Sequence, residues 1–152
     1  MSEDQTNSLQ SDDAEKADPS YPDADWLLQA LVGLAENGLE FAVTLNVGGF
    51  LVSGLVAGGN SYFKRVGAEF ANVLPEDAQG TAAEFFAPMV ELYDNLEKDP
   101  AAPPRALIHL KNASFFNTHG APLPNNRSVW WRGKLLAVDG FKTGELGAAD
   151  AD

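Results

Sequence analysis

Cysteine is missing from all 152 residues. Its absence excludes disulfide staples, cysteine–zinc sites and thiol nucleophiles. Bases are scarce: ten Lys and Arg stand against 22 Asp and Glu, a formal charge of -12. That field opposes unaided binding to nucleic acid or to an anionic membrane. No apolar run reaches the length that spans a bilayer. The chain opens on Glu3 and Asp4 rather than on a basic, apolar-cored leader, so no secretory signal is expected. The Asn-x-Ser triplets at Asn112 and Asn126 then read as chance matches. What is present is 45% hydrophobic residues, enough for a real core. The composition therefore predicts an acidic, cytoplasmic protein with one folded domain.

The charge is uneven. Residues 1–25 hold eight acids and one base, residues 26–104 ten acids and three bases, and residues 105–152 four acids and six bases. The last third is thus mildly basic, through Arg127, Arg132, Lys134 and Lys142 among others. It reads either as an ordinary mixed surface or as a docking face for an acidic partner. Residues 1–22 carry almost no large apolar side chain and are expected to be a disordered acidic tail. Residues 23–147 form the expected domain, with a helical insertion at about 60–98, and residues 148–152 are expected to fray. Lys98–Pro104 and Asn117–Asn126 read as loops, being rich in proline or in proline and glycine.

Asp25 can cap a helix starting at Trp26, and Asn37-Gly38 can stop it. Leu27, Leu31 and Leu34 fall at helical spacing, with Leu28, Val32 and Ala35 beside them. The period then drops to two. Phe41, Val43, Leu45 and Val47 share one strand face. Gly48-Gly49 fits a two-residue hairpin turn, which sets Val47 opposite Phe50, Leu45 opposite Val52, Val43 opposite Gly54 and Phe41 opposite Val56. Gly54 lets the sheet bend or another element approach. Leu51 and Leu55 make the other face apolar, which predicts cover from the first helix or from a neighbouring subunit.

Tyr62, Phe63, Val66 and Phe70 mark a second helix. Thr81 and Glu84 resemble a capping box, after which Phe85, Met89, Leu92 and Leu96 repeat at helical spacing. Pro88 is expected to kink or restart this third helix. Residues 106–110 and 113–116 read as one strand or a bulged pair, and Ser128–Val138 as one long strand able to bend at Gly133. Asp139-Gly140 marks a turn or bulge, and Phe141 to Leu146 reads as a closing strand. The predicted class is α+β, with a small, strongly bent antiparallel sheet or a partly closed Sm-like or SH3-like barrel. An open sheet with helices over one face is the alternative.

The chemical inventory is thin. His109 lies within an apolar strand and reads as a core or interfacial histidine. His119 sits beside Gly120 and reads as a loop residue. Neither has a ligand partner at metal-site spacing. Glu91, Asp94 and Glu97 suit the wet side of a helix. Gly48-Gly49 and Gly58-Gly59 lack the spacing of a phosphate loop. No catalytic residue, metal or cofactor is expected. Trp130, Trp131 and Arg132 are the conspicuous cluster. Consecutive strand residues point to opposite faces, so one ring belongs to the core and the other to a helix, a partner or solvent. With Leu51, Leu55 and Lys134 they form the candidate interaction surface. Gly48, Gly49, Gly54, Gly133 and Gly140 are the candidate turn or bend positions.

These same segments carry a family resemblance. Leu45-Asn46-Val47-Gly48-Gly49-Phe50-Leu51-Val52-Ser53-Gly54 and Tyr62-Phe63 resemble gas vesicle accessory proteins of the U type. So do His109–Phe116, Val129–Leu135 and Val138–Gly144. The resemblance implies a small protein acting in assembly or clustering of these gas-filled compartments, without catalytic residues or cofactor. Together with the apolar face at Leu51 and Leu55 and the tryptophan pair, it points to self-association and to contact with gas vesicle shell or accessory proteins. An Sm-like nucleic-acid-binding module is the runner-up, and an unrecognised enzyme the third reading.

Overall fold

A computed structural model describes residues 23–124 and 128–146. The expected acidic tail at 1–22, Arg127 of the basic third, Asn126 and the expected frayed end at 148–152 lie outside the described residues.

Helix α1 runs Trp26–Glu36, with Asp25 Oδ1 accepting from the Leu27 and Leu28 amides at 2.9 and 3.2 Å. Gly38, at φ 95°, ends it. Strands β1 (Phe41–Val47) and β2 (Phe50–Ala57) pair in the register predicted, around a turn in which Gly48 and Gly49 have φ of 61° and 92°. Helices α2 (Gly59–Asn72) and α3 (Gln79–Lys98) follow, separated by a short 3-10 turn at Glu76–Ala78. Strands β3 (Leu107–Phe116), β4 (Val129–Lys134) and β5 (Gly140–Thr143) complete an antiparallel sheet in the order β4-β3-β2-β1-β5.

The sheet is open, which corrects the barrel expectation. Closure would require β5 to meet β4, whereas β5 pairs with β1 and β4 remains at the opposite edge. The α+β class holds.

Alternation gives the sheet two faces. Its first face carries Val43, Leu45, Val52, Val56, Ile108 and Leu110, all buried against Leu28, Val32 and Ala35 of α1. Helix α1 therefore turns Leu28, Val32 and Ala35 inward and leaves Leu27 and Leu34 exposed, the reverse of a stripe led by Leu27, Leu31 and Leu34. It also covers the face opposite Leu51 and Leu55, so the first helix is not their cover. On the second face, Thr44 and Ser53 are buried beneath the chain after β5: Thr44 Oγ1 donates to the Gly144 carbonyl at 2.8 Å, and Ser53 Oγ accepts from the Leu146 amide at 2.8 Å.

Strand β3 is one strand with a bulge. Asn112 has φ 54°, and the register with β2 shifts between Ser53 and Leu55. The extra residue puts Ala113 on the core face with Ile108 and Leu110. Gly54 lies against this bulge: a Cβ there would sit 2.9 Å from the Lys111 carbonyl oxygen and 3.1 Å from Ala113 Cα. Both obstacles are backbone. Gly54→Ala should destabilise the fold by about 1–3 kcal/mol, measured by urea denaturation. A loss below about 0.5 kcal/mol, the range of ordinary surface changes, would mean that the bulge yields freely.

Other expectations are corrected. The strand from Ser128 stops at Lys134, because a 3-10 turn at Leu135–Ala137 carries Leu135 into the core. Gly133 stays within β4. Its missing side chain makes room for the Trp131 ring, which an added Cβ would overlap. Gly140 starts β5 without a positive φ. Helix α3 begins at Gln79 without a side-chain cap, so the Thr81–Glu84 box is not formed, and it continues through Pro88 without a restart.

Candidate interaction surfaces

His109 organises the second face. It is fully buried on β3 and pairs across the sheet with Ala57 and Arg132. The rings of Tyr62, Tyr93 and Phe63 stand 4.6, 5.6 and 6.0 Å from its own. Arg132 Nε donates to His109 Nε2 at 3.3 Å, and the same guanidinium lies 5.5 Å from the Phe63 ring centre. Helices α2 and α3 are seated on the sheet by this cluster. Burial, and secondarily the Arg132 charge, lower the His109 pKa to about 3. A ring held neutral, with its acceptor nitrogen occupied by arginine, is poorly suited to general base catalysis near neutral pH. His119 is exposed in a turn built on Asn117.

A second polar contact was missed in the sequence. Glu36, its side chain 2% exposed, accepts from the Gly59 amide at 3.0 Å, where α2 begins. Its other oxygen lies 3.9 Å from Arg105 Nε. Burial pushes the Glu36 pKa up, and the Gly59 amide and Arg105 act against that rise. The signal was present: Leu28, Val32 and Glu36 recur every fourth residue, on the inward side of α1. Of the three carboxylates expected on the wet side of α3, only Glu91 is exposed. Asp94 is half-buried and accepts from Asn60 Nδ2 at 2.8 Å, while Glu97 is half-buried beside Glu36 and Arg105.

The six residues of the predicted surface fall on both sides of the sheet. Trp131 is half-buried on the first face, against the core. Trp130 is half-buried on the second face, its ring 6.0 Å from that of Tyr62. Arg132 and Lys134 are exposed beside it, and Leu51 and Leu55 are half-buried further across that face. Opposed tryptophans do not make one stacking platform for bases. A polar groove of about 380 Å³ separates α2 from β4, bordered by Tyr62, Arg65, Glu69, Asn112, Ser128 and Trp130.

Two further apolar surfaces lie outside the core. One is the outer side of α1, with Trp26, Leu27 and Leu34 exposed by 57, 45 and 47%. The other is on the helical pair. Helix α3 turns Ala82, Phe86 and Tyr93 toward α2 or the sheet, so Phe85 and Leu92 remain exposed, together with Phe70 and Val73 of the facing segment. Among the described residues, no cluster of three His, Asp or Glu could hold a metal ion, and no helix is long and apolar enough to cross a membrane.

The family model described as "Gas vesicle protein GvpU-like" matches residues 25–146. No curated protein matches the chain, and no solved structure does.

Proposed function

We propose, from the premise that the chain belongs to the GvpU-like gas vesicle protein family, that it acts in assembly or clustering of gas vesicles by joining protein surfaces. Membership makes it a non-catalytic accessory protein of that system. The observation that carries the finer reading is the apolar surface left outside a filled core. Leu27, Leu31 and Leu34 have the spacing of a helix-pairing seam. No ionisable residue occurs from Trp26 to Ala35, in a chain of formal charge -12. Two copies meeting at this side of α1 avoid the like-charge repulsion that acidic surfaces would impose. Trp130, Arg132 and Lys134, with Leu51 and Leu55 across the same face, are assigned to contact with shell or accessory proteins. Trp131 supports them from the reverse side of β4.

Leu27→Glu combined with Leu34→Glu should abolish self-association in light scattering. Because both side chains are half outside already, the stability change should stay within about 1 kcal/mol. Mixed with purified gas vesicles, the wild type should cluster them and the double variant should not. A wild type that remains monomeric and leaves the vesicles dispersed would contradict this reading.

A further inference from the structure

We propose that the groove on the helical pair receives an amphipathic helix from a partner protein, with bulky apolar residues on one side and lysine or arginine beside them. The inference rests on reading the chain as a contact protein, and it adds the chemistry of the client.

The groove has a volume of about 440 Å³ and lies where α2 turns into α3. Phe70, Leu74, Ala78, Ala82, Phe85 and Phe86 line it, with Thr81 the one polar side chain. Phe85 is 62% exposed and Phe70 49%. Such walls reward apolar anchors and offer little else. Most of their backbone hydrogen bonds are already closed within α2 and α3. A guest cannot add a strand there, so it must satisfy its own buried N–H and C=O groups, which a helix does locally.

The charge around the groove selects among helices. From Val66 to Glu97 the chain carries seven carboxylates and no lysine or arginine. Glu69 is paired with Arg65 at 2.9 Å, and Asp94 is bonded to Asn60. Glu76, Asp77, Glu84 and Glu91 have no ion-pair partner among the described residues. Two such arms brought together would oppose carboxylates with carboxylates. A helix with basic flanks meets the same rim with attraction and speeds its own encounter. The charge therefore favours a basic client over a second copy.

The test uses the full chain and a labelled helical peptide with leucines at helical spacing and lysine elsewhere, followed by fluorescence anisotropy. A matched peptide carries glutamate in place of lysine. The lysine peptide should bind and the glutamate peptide should not. Phe85→Glu should weaken binding about tenfold or more, as loss of a central aromatic anchor does. Asp77→Lys with Glu84→Lys should weaken it and reduce its salt dependence. Equal binding of the two peptides, or wild-type binding by Phe85→Glu with its circular dichroism unchanged, would overturn the proposal. So would conversion of a dimer to a monomer by Phe85→Glu, because the groove would then belong to a second copy. Flotation with purified gas vesicles separates the two levels. If the wild type floats while the peptide results fail, the groove assignment falls and the contact-protein reading stands. If the wild type does not float with the vesicles, the broader reading falls.

Discussion

Acidification from pH 6.5 should cost the protein about 1.4 kcal/mol per pH unit through His109 alone. The unfolded ring titrates near 6.5, whereas the folded ring titrates near 3. Between those values the unfolded chain binds more protons, so stability is present above the unfolded pKa and falls as pH falls. The whole window corresponds to on the order of 5 kcal/mol. Burial dominates because Tyr62, Phe63, Tyr93 and the sheet leave the ring no water, and Arg132 adds a like charge to any imidazolium. Glu36 acts in the opposite direction. Its raised pKa means that protonation on acidification relieves a burial penalty. The diagnostic is therefore a comparison of variants. His109→Gln should start less stable through lost packing, yet its stability should fall less steeply from pH 6.5 to 4.5 in urea titrations. Equal slopes would show that His109 does not carry the effect.

Glu36→Ala should cost about 1–3 kcal/mol, the range for leaving a buried donor without its acceptor. Two groups lose a partner at once. Arg105 would keep a largely buried guanidinium without its carboxylate, and the Gly59 amide would lose the acceptor that starts α2. Glu36→Gln retains an amide oxygen for Gly59 and removes only the charge. It should cost less than Glu36→Ala, because the charge it removes is one that burial already disfavours. Denaturant melts distinguish the two. Equal losses would place the whole effect in the charge pair and none in the helix start.

The hairpin was legible because its determinants are local. Two glycines able to adopt positive φ, flanked by alternating apolar residues, define one register. The same holds for Asp25 at the start of α1 and Gly38 at its end. Which side of α1 faces inward was not legible. Leu27, Leu31 and Leu34 and the set Leu28, Val32 and Ala35 are both apolar, and periodicity cannot choose between two apolar sides. The sheet chose. Helix α3 misled in a related way, since Ala82 carries less apolar weight than Phe85, yet only Ala82 is buried. The bulge of β3 was legible as the break between 106–110 and 113–116, and Asn112, at φ 54°, carries it. Strand order is a non-local property, and bend-permitting glycines at 54 and 133 suggested closure where β5 instead pairs with β1. At the candidate surface, the tryptophans were legible as residues of opposite faces. The exposed side of α1 and the apolar groove on the helical pair became visible only once the core had taken its share of the apolar residues.

Hydrogen exchange of the full chain, with and without purified gas vesicles, tests the central claim most directly. The claim predicts slowed exchange within 26–36 or 70–86, where the unpartnered apolar side chains lie, while β1 and β2 remain as protected as before. Unchanged exchange across both segments in the presence of vesicles would contradict it.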